Sequence, residues 1–151
     1  MNITVGILVD FMGCLDMTPE EEMKYIEDEF TDNLGNYTFT FLRNIRPHDL
    51  GNQSLDIYVF DFGGLLPGCD GLLNSMYGSL LTQIEEKPSV LFVLWGALSR
   101  PYYEDELSYR FEEEKEFPNV ISRFGEEDIF TEIEEWIRGK SKEKQNENPR
   151  P

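Results

Sequence analysis

Three short, mainly apolar runs constrain this chain more than any other feature. Residues 3–9, 55–62 and 89–95 are rich in Val, Ile, Leu and Phe, and each is seven or eight residues long. A strand with one wet face alternates apolar and polar residues. A run without that alternation suits a strand covered on both faces. Such strands belong to sheets with helices packed on either side. The longest apolar stretch, at 90–98, is far short of the roughly 20 residues that span a bilayer.

Between these runs the period changes from two to about 3.6. Thr18 can cap a helix, Pro19 fits its first position, and Glu21 completes a capping box. Met23, Ile26 and Phe30 then share one face, and Gly35 suits the exit. A second helix is marked by Leu72, Leu73, Met76, Tyr77, Leu80, Leu81 and Ile84, a wide apolar stripe. Asp70 is its expected cap, and Pro88 closes the segment. Residues 37–42 read as a further strand, rich in Tyr, Thr and Phe. The connection 43–54 holds Pro47 and Gly51 and has room for one helical turn. Without a helix there, the strand at 37–42 could pair antiparallel instead.

Residues 97–117 form an excursion in which Tyr103, Leu107 and Phe111 are spaced by four, the pattern of an acidic amphipathic helix. Residues 120–124 are mixed in polarity and predict an edge strand. Residues 126–138 predict a last helix, with Ile129, Phe130, Ile133, Trp136 and Ile137 inward. The remainder, 139–151, is polar, contains Pro149 and Pro151, and reads as a disordered tail. The expected division is one acidic domain at 1–138 and that tail.

Strands alternating with helices imply right-handed crossovers and a parallel sheet. The expected fold class is α/β, a single three-layer domain with a mostly parallel five-stranded sheet. It resembles the flavodoxin-like and Rossmann-like outline, with strand order 2-1-3-4-5.

Charge narrows the partners. The chain of 151 residues carries a formal net charge of −17. Within 139–151, Lys140, Lys142, Lys144 and Arg150 face Glu143 and Glu147, a net +2, which leaves −19 on 1–138. Such a body repels phosphate backbones and anionic lipid, so direct nucleic-acid binding and membrane binding are not expected. A basic protein surface or a metal ion is the easier partner, and a homo-oligomer remains compatible. Two cysteines, Cys14 and Cys69, make no disulfide scaffold in a chain able to build its own core. The start, Met1-Asn2-Ile3-Thr4-Val5, has no basic region, and a cytoplasmic location is expected.

In a doubly wound sheet, ligands bind outside the carboxyl ends of the strands. Asp10 ends the first strand and Asp61 the third, so the two carboxylates are candidates for one magnesium ion. In outline this resembles the receiver and haloacid-dehalogenase-like patterns. It departs from both. Asp10 has no acidic neighbour, Arg123 stands near the place of a receiver's lysine, and Met12 stands where a dehalogenase repeats its Asp.

Gly63, Gly64, Gly68 and Gly71 precede the second helix and suggest a small-ligand loop. They match neither the Rossmann nor the P-loop spacing, and no Lys or Arg lies between Arg46 and Lys87. Cys69, just before that helix, is a candidate thiol, but the single histidine, His48, falls in the connection 43–54. Asp61-Phe62-Gly63 spells a kinase triplet without the other kinase motifs.

The last candidate is a surface. Arg100, Tyr102, Tyr103, Glu104, Asp105 and Glu106, with Glu112 and Glu113, combine aromatic and acidic side chains. Tyr and Arg are favoured at protein contacts. No nucleophile with its base and no basic phosphate clamp is present, so the sequence leans away from catalysis. Two expectations follow. The first is a non-catalytic binding or regulatory domain that recognises a protein through this surface, as a nucleic-acid mimic or as a subunit of an assembly. The alternative is a small-ligand or nucleotide-handling domain with a magnesium site at the carboxyl edge of the sheet.

Overall fold

The computed structural model describes residues 1–9, 18–61, 71–96, 117–124 and 128–147. Among these residues five strands are present: β1 (Asn2–Val9), β2 (Thr38–Arg43), β3 (Ile57–Asp61), β4 (Leu91–Gly96) and β5 (Val120–Phe124). The described α-helices are α1 (Pro19–Asn33), α2 (Gly71–Glu86) and α3 (Phe130–Glu147). The sheet order is β2-β1-β3-β4-β5, and all four pairings are parallel. The expected α/β class and strand order are therefore observed, and β2 is parallel to β1.

The period of two divides the sheet residues between two cores. Ile3, Val5, Ile7 and Val9 of β1, Ile57 and Val59 of β3, and Leu91, Val93 and Trp95 of β4 face α1 and α3. Met23, Ile26 and Phe30 of α1 and Ile133 and Ile137 of α3 close that core. Phe30 lies at its centre, with edge-on rings at 5.7 Å (Phe39), 6.2 Å (Phe41) and 5.3 Å (Phe130). The alternate residues Leu8, Tyr58, Phe60, Phe92 and Leu94 pack on the other face with Leu80 and Ile84 of α2. Each buried side chain of this size is worth about 1.5–3 kcal/mol.

The crossover from β2 to β3 contains no α-helix. A 3-10 turn at Pro47–Asn52 takes its place, as the Pro47 and Gly51 content suggests. Leu50 anchors the turn in the second core, and the Tyr58 hydroxyl donates to the Ile45 carbonyl at 2.6 Å. Burial, reinforced by the Asp49 carboxylate, pushes the Tyr58 pKa up, so its proton stays on and the bond persists. At the start of the crossover Asn44 takes φ 62°, a left-handed conformation that asparagine tolerates better than most residues.

The N-terminal signals at α1 are met in full, while at the exit Leu34 is the cap, its N–H donating to the Phe30 carbonyl at 2.9 Å, and Gly35 does not take a left-handed conformation. The Thr18 hydroxyl accepts from the Glu21 N–H at 3.1 Å, and Glu21 Oε1 accepts from the Thr18 N–H at 3.2 Å. Regular structure ends later than expected at the other terminus. The last helix runs past Arg138 and Gly139 to Glu147, inside the segment read as a tail. Lys, Glu and Gln dominate 140–147, and all three favour helix, so one glycine does not stop it before Pro149.

Candidate functional site

The carboxyl edge is organised by the strand order. The chain leaves β1 toward β2 on one side, and β3 continues the sheet on the other, so the crevice lies above β1 and β3. Register places Val9 beside Asp61, and Asp61 beside Trp95. Because Ile57 and Val59 face α1, the same alternation turns Asp61 toward α1. Asp61 is fully buried there.

Opposite it stands a residue that the sequence reading passed over. Glu22 lies in the first turns of α1, its N–H donating to the Thr18 carbonyl at 3.1 Å. It is 0% exposed, and apart from the Asp61 carboxyl its two oxygens have no hydrogen-bond partner among the described residues. Burial removes the water that would solvate the anion and pushes the Glu22 pKa above its ordinary 4.5; a hydrogen bond with Asp61 pulls the other way. Two ionised carboxylates have only acceptors. A bond between them therefore exists only when one holds a proton, and the two titrate as a pair.

A signal for Glu22 existed in the sequence. Residues 22, 26 and 30 are spaced by four, so Glu22 occupies the inward stripe set by Ile26 and Phe30. The helix N-terminus nearby favours an anion by up to about 1 kcal/mol, which only partly offsets burial.

The nearby cations of the described helices and strands are engaged with other carboxylates. Lys24 is engaged by Asp28 at 2.6 Å, and Arg43 makes a two-point bridge to Glu27 at 2.7 and 2.9 Å. Arg138 pairs with Glu134. Glu20, Glu21 and Glu22 all sit in the first turn of α1, where they repel any anion that approaches without a cation. Trp95 forms the neighbouring wall, with ring centroids 6.2 Å from Tyr25 and 5.9 Å from Phe130. Its indole N–H is buried and has no acceptor among the described residues.

Of the expected site residues, the structure places Asp61 and sets Glu22 of α1 against it. Asp10, Gly63, Gly64, Gly68 and Cys69 lie outside the described residues, as do Cys14 and Asp70. The same holds for Arg100, Tyr102, Tyr103, Glu104, Asp105, Glu106, Glu112 and Glu113. His48 stands on the 3-10 turn with its side chain 59% exposed, 3.6 Å from Asp49. Among the described residues, no third His, Cys, Asp or Glu joins a group that could hold a metal. At the amino edge, residues including Ser54, Leu55, Lys87, Pro88 and Ser89 line an open cleft of about 310 Å³. No described helix is long and apolar enough to cross a membrane. No family model, no curated protein and no solved structure matches the chain.

Proposed function

We propose that the chain is a small-ligand-handling domain whose site is the carboxyl edge of the sheet, above β1, β3 and β4. One observation carries this reading. A glutamate at the crevice is wholly buried, and among the described residues its carboxyl has no partner but the Asp61 carboxyl. Burying a carboxylate without donors is costly, so a fold that keeps one at its ligand edge is explained most simply by a ligand. Asp61 is the member of the pair that the sequence also marks. Asp10, its expected companion, would join from the chain that follows Val9.

Recognition of a basic protein through 102–116 is the second reading, on a surface that lies outside the described residues. The test is a thermal-shift panel of nucleotides, flavins and divalent cations on the purified full chain. A ligand that binds only the folded state raises the melting temperature by mass action. A rise of several degrees that disappears in Asp61→Asn supports the reading. A rise left intact by Asp61→Asn and Glu22→Gln places the site elsewhere, and no rise with any compound counts against a small ligand.

A further inference from the structure

We infer that the outer edge of β2 is an interface between two copies of this chain, joined antiparallel so that their sheets become one. This contact goes beyond the ligand-site reading and holds or fails independently of it.

The backbone sets the register. β2 ends the sheet and pairs with β1 on one side. The Thr38 N–H donates to the Met1 carbonyl, and backbone groups alternate in direction along a strand. Thr38, Thr40 and Leu42 therefore turn their N–H and C=O groups to β1, whereas Phe39, Phe41 and Arg43 turn theirs outward. The three outward N–H groups have no acceptor among the described residues. Edge strands are commonly blunted by proline, lysine, a bulge or an unmatched charge. Thr38–Arg43 contains no proline, lysine or glycine, and the charge of Arg43 is matched by Glu27 of α1. A two-fold axis at Phe41 pairs every outward group. Phe41 faces the partner's Phe41, and Phe39 faces the partner's Arg43. Each facing pair exchanges two N–H···O bonds, about six in all. No like charges stand opposite one another in this register. A two-fold contact is closed, so the assembly stops at two copies.

Charge selects a second copy of this chain as the occupant. Residues 33–48 contain no Asp or Glu, although the whole chain carries −17. Arg43 and Arg46 stand at the carboxyl end of β2, and Arg46 is exposed with no ion-pair partner among the described residues. The end of α1, beside the start of β2, is the opposite. Asp32 is exposed there, and the last turn has no basic residue to meet the negative end of the helix dipole. Antiparallel pairing brings the arginine end of each copy to the Asp32 end of the other. The Phe39 and Phe41 rings, stacked at 5.6 Å and half-buried on the first core, then continue across the axis into the partner's pair.

The experiment is sedimentation velocity on the full chain from roughly 1 µM to 1 mM, in 0.15 M salt, where general repulsion between acidic bodies is screened within about 8 Å. The expected result is a monomer–dimer equilibrium with a Kd below about 100 µM. Thr40→Lys puts an edge lysine at an exposed position. Arg43→Pro deletes one outward N–H and keeps the bonds to β1. Each should weaken the dimer by about tenfold or more, and circular dichroism reports whether each variant folds. A second readout needs no variant. In residue-resolved hydrogen exchange, the Phe39, Phe41 and Arg43 amides should slow as concentration rises through the Kd. The Thr40 and Leu42 amides, already bonded to β1, should stay protected throughout. A chain that stays monomeric across the range, a dimer that leaves the outward β2 amides unchanged, or a dimer unaffected by both folded variants overturns the inference.

Discussion

Replacing Asn119 by alanine should be among the most damaging single changes in the second core. Asn119 is 2% exposed and precedes β5. Its side-chain N–H₂ donates to three backbone carbonyls: Ile84 at 3.2 Å, Lys87 at 3.1 Å and Val90 at 3.1 Å. These carbonyls belong to the end of α2, the turn after it and the approach to β4. The Ile84 carbonyl has a specific need. Its helical donor would be the N–H of residue 88, and residue 88 is proline. The Lys87 carbonyl also accepts the Val90 N–H at 3.1 Å, so it keeps a partner when Asn119 is lost.

Two hydrogen bonds at about 1 kcal/mol each, with a further 1–3 kcal/mol for a buried carbonyl left bare, give a total of about 3–5 kcal/mol. For a domain of this size that corresponds to a fall in Tm of roughly 6–20 °C. Urea unfolding followed by far-ultraviolet circular dichroism measures the loss. The reasoning also predicts partial rescue, because Pro88→Ala restores an N–H to the Ile84 carbonyl. In a double-mutant cycle the two substitutions should couple by about 1 kcal/mol. A loss below about 1 kcal/mol for Asn119→Ala would refute this account of the α2–β4 turn.

Three further outcomes are expected. Tyr58→Phe removes the bond to the Ile45 carbonyl and should cost about 1–2 kcal/mol in urea unfolding, with the strand order unchanged. Asn44→Ala places a Cβ-bearing residue without a helpful amide at φ 62° and should cost about 1 kcal/mol, while Asn44→Gly should stay near neutral; melting curves separate the two. Glu22→Gln, measured in EDTA, should stabilise the chain at pH 8. The folded Glu22 pKa is raised, chiefly by burial, so the stability tied to its protonated form is present below 4.5 and is lost as pH rises through the folded value. The advantage of the glutamine variant should therefore shrink as pH is lowered toward 4.5, and a constant difference across pH would contradict the burial argument.

The strands were legible because their burial on both faces leaves unalternating apolar runs, and β1, β3 and β4 carry such runs. The start of α1 was legible because the capping box is a local bond pattern written at residues 18, 19 and 21. Half of the carboxylate pair was legible too. Asp61 ends an apolar run, whereas Glu22 is one of six acids in 20–29 and stands out only through its spacing from Ile26 and Phe30. Asn119 could not be read at all. Its three acceptors are backbone groups 29 to 35 residues earlier, and nothing in the local sequence records a contact made by the folded chain. The extent of α3 was missed because a polar segment without an apolar stripe looks the same as a tail, although its residues favour helix.

The central claim is that the buried Glu22–Asp61 pair is a place for a ligand and not a pair of acids sharing a proton for structural reasons. Crystals of the full chain soaked with the compound of the nucleotide, flavin and divalent-cation panel that raises its melting temperature most test it most directly. The account predicts ordered density for that compound in contact with Glu22 or Asp61. An ordered carboxyl edge without that density, or density at another face, would contradict it.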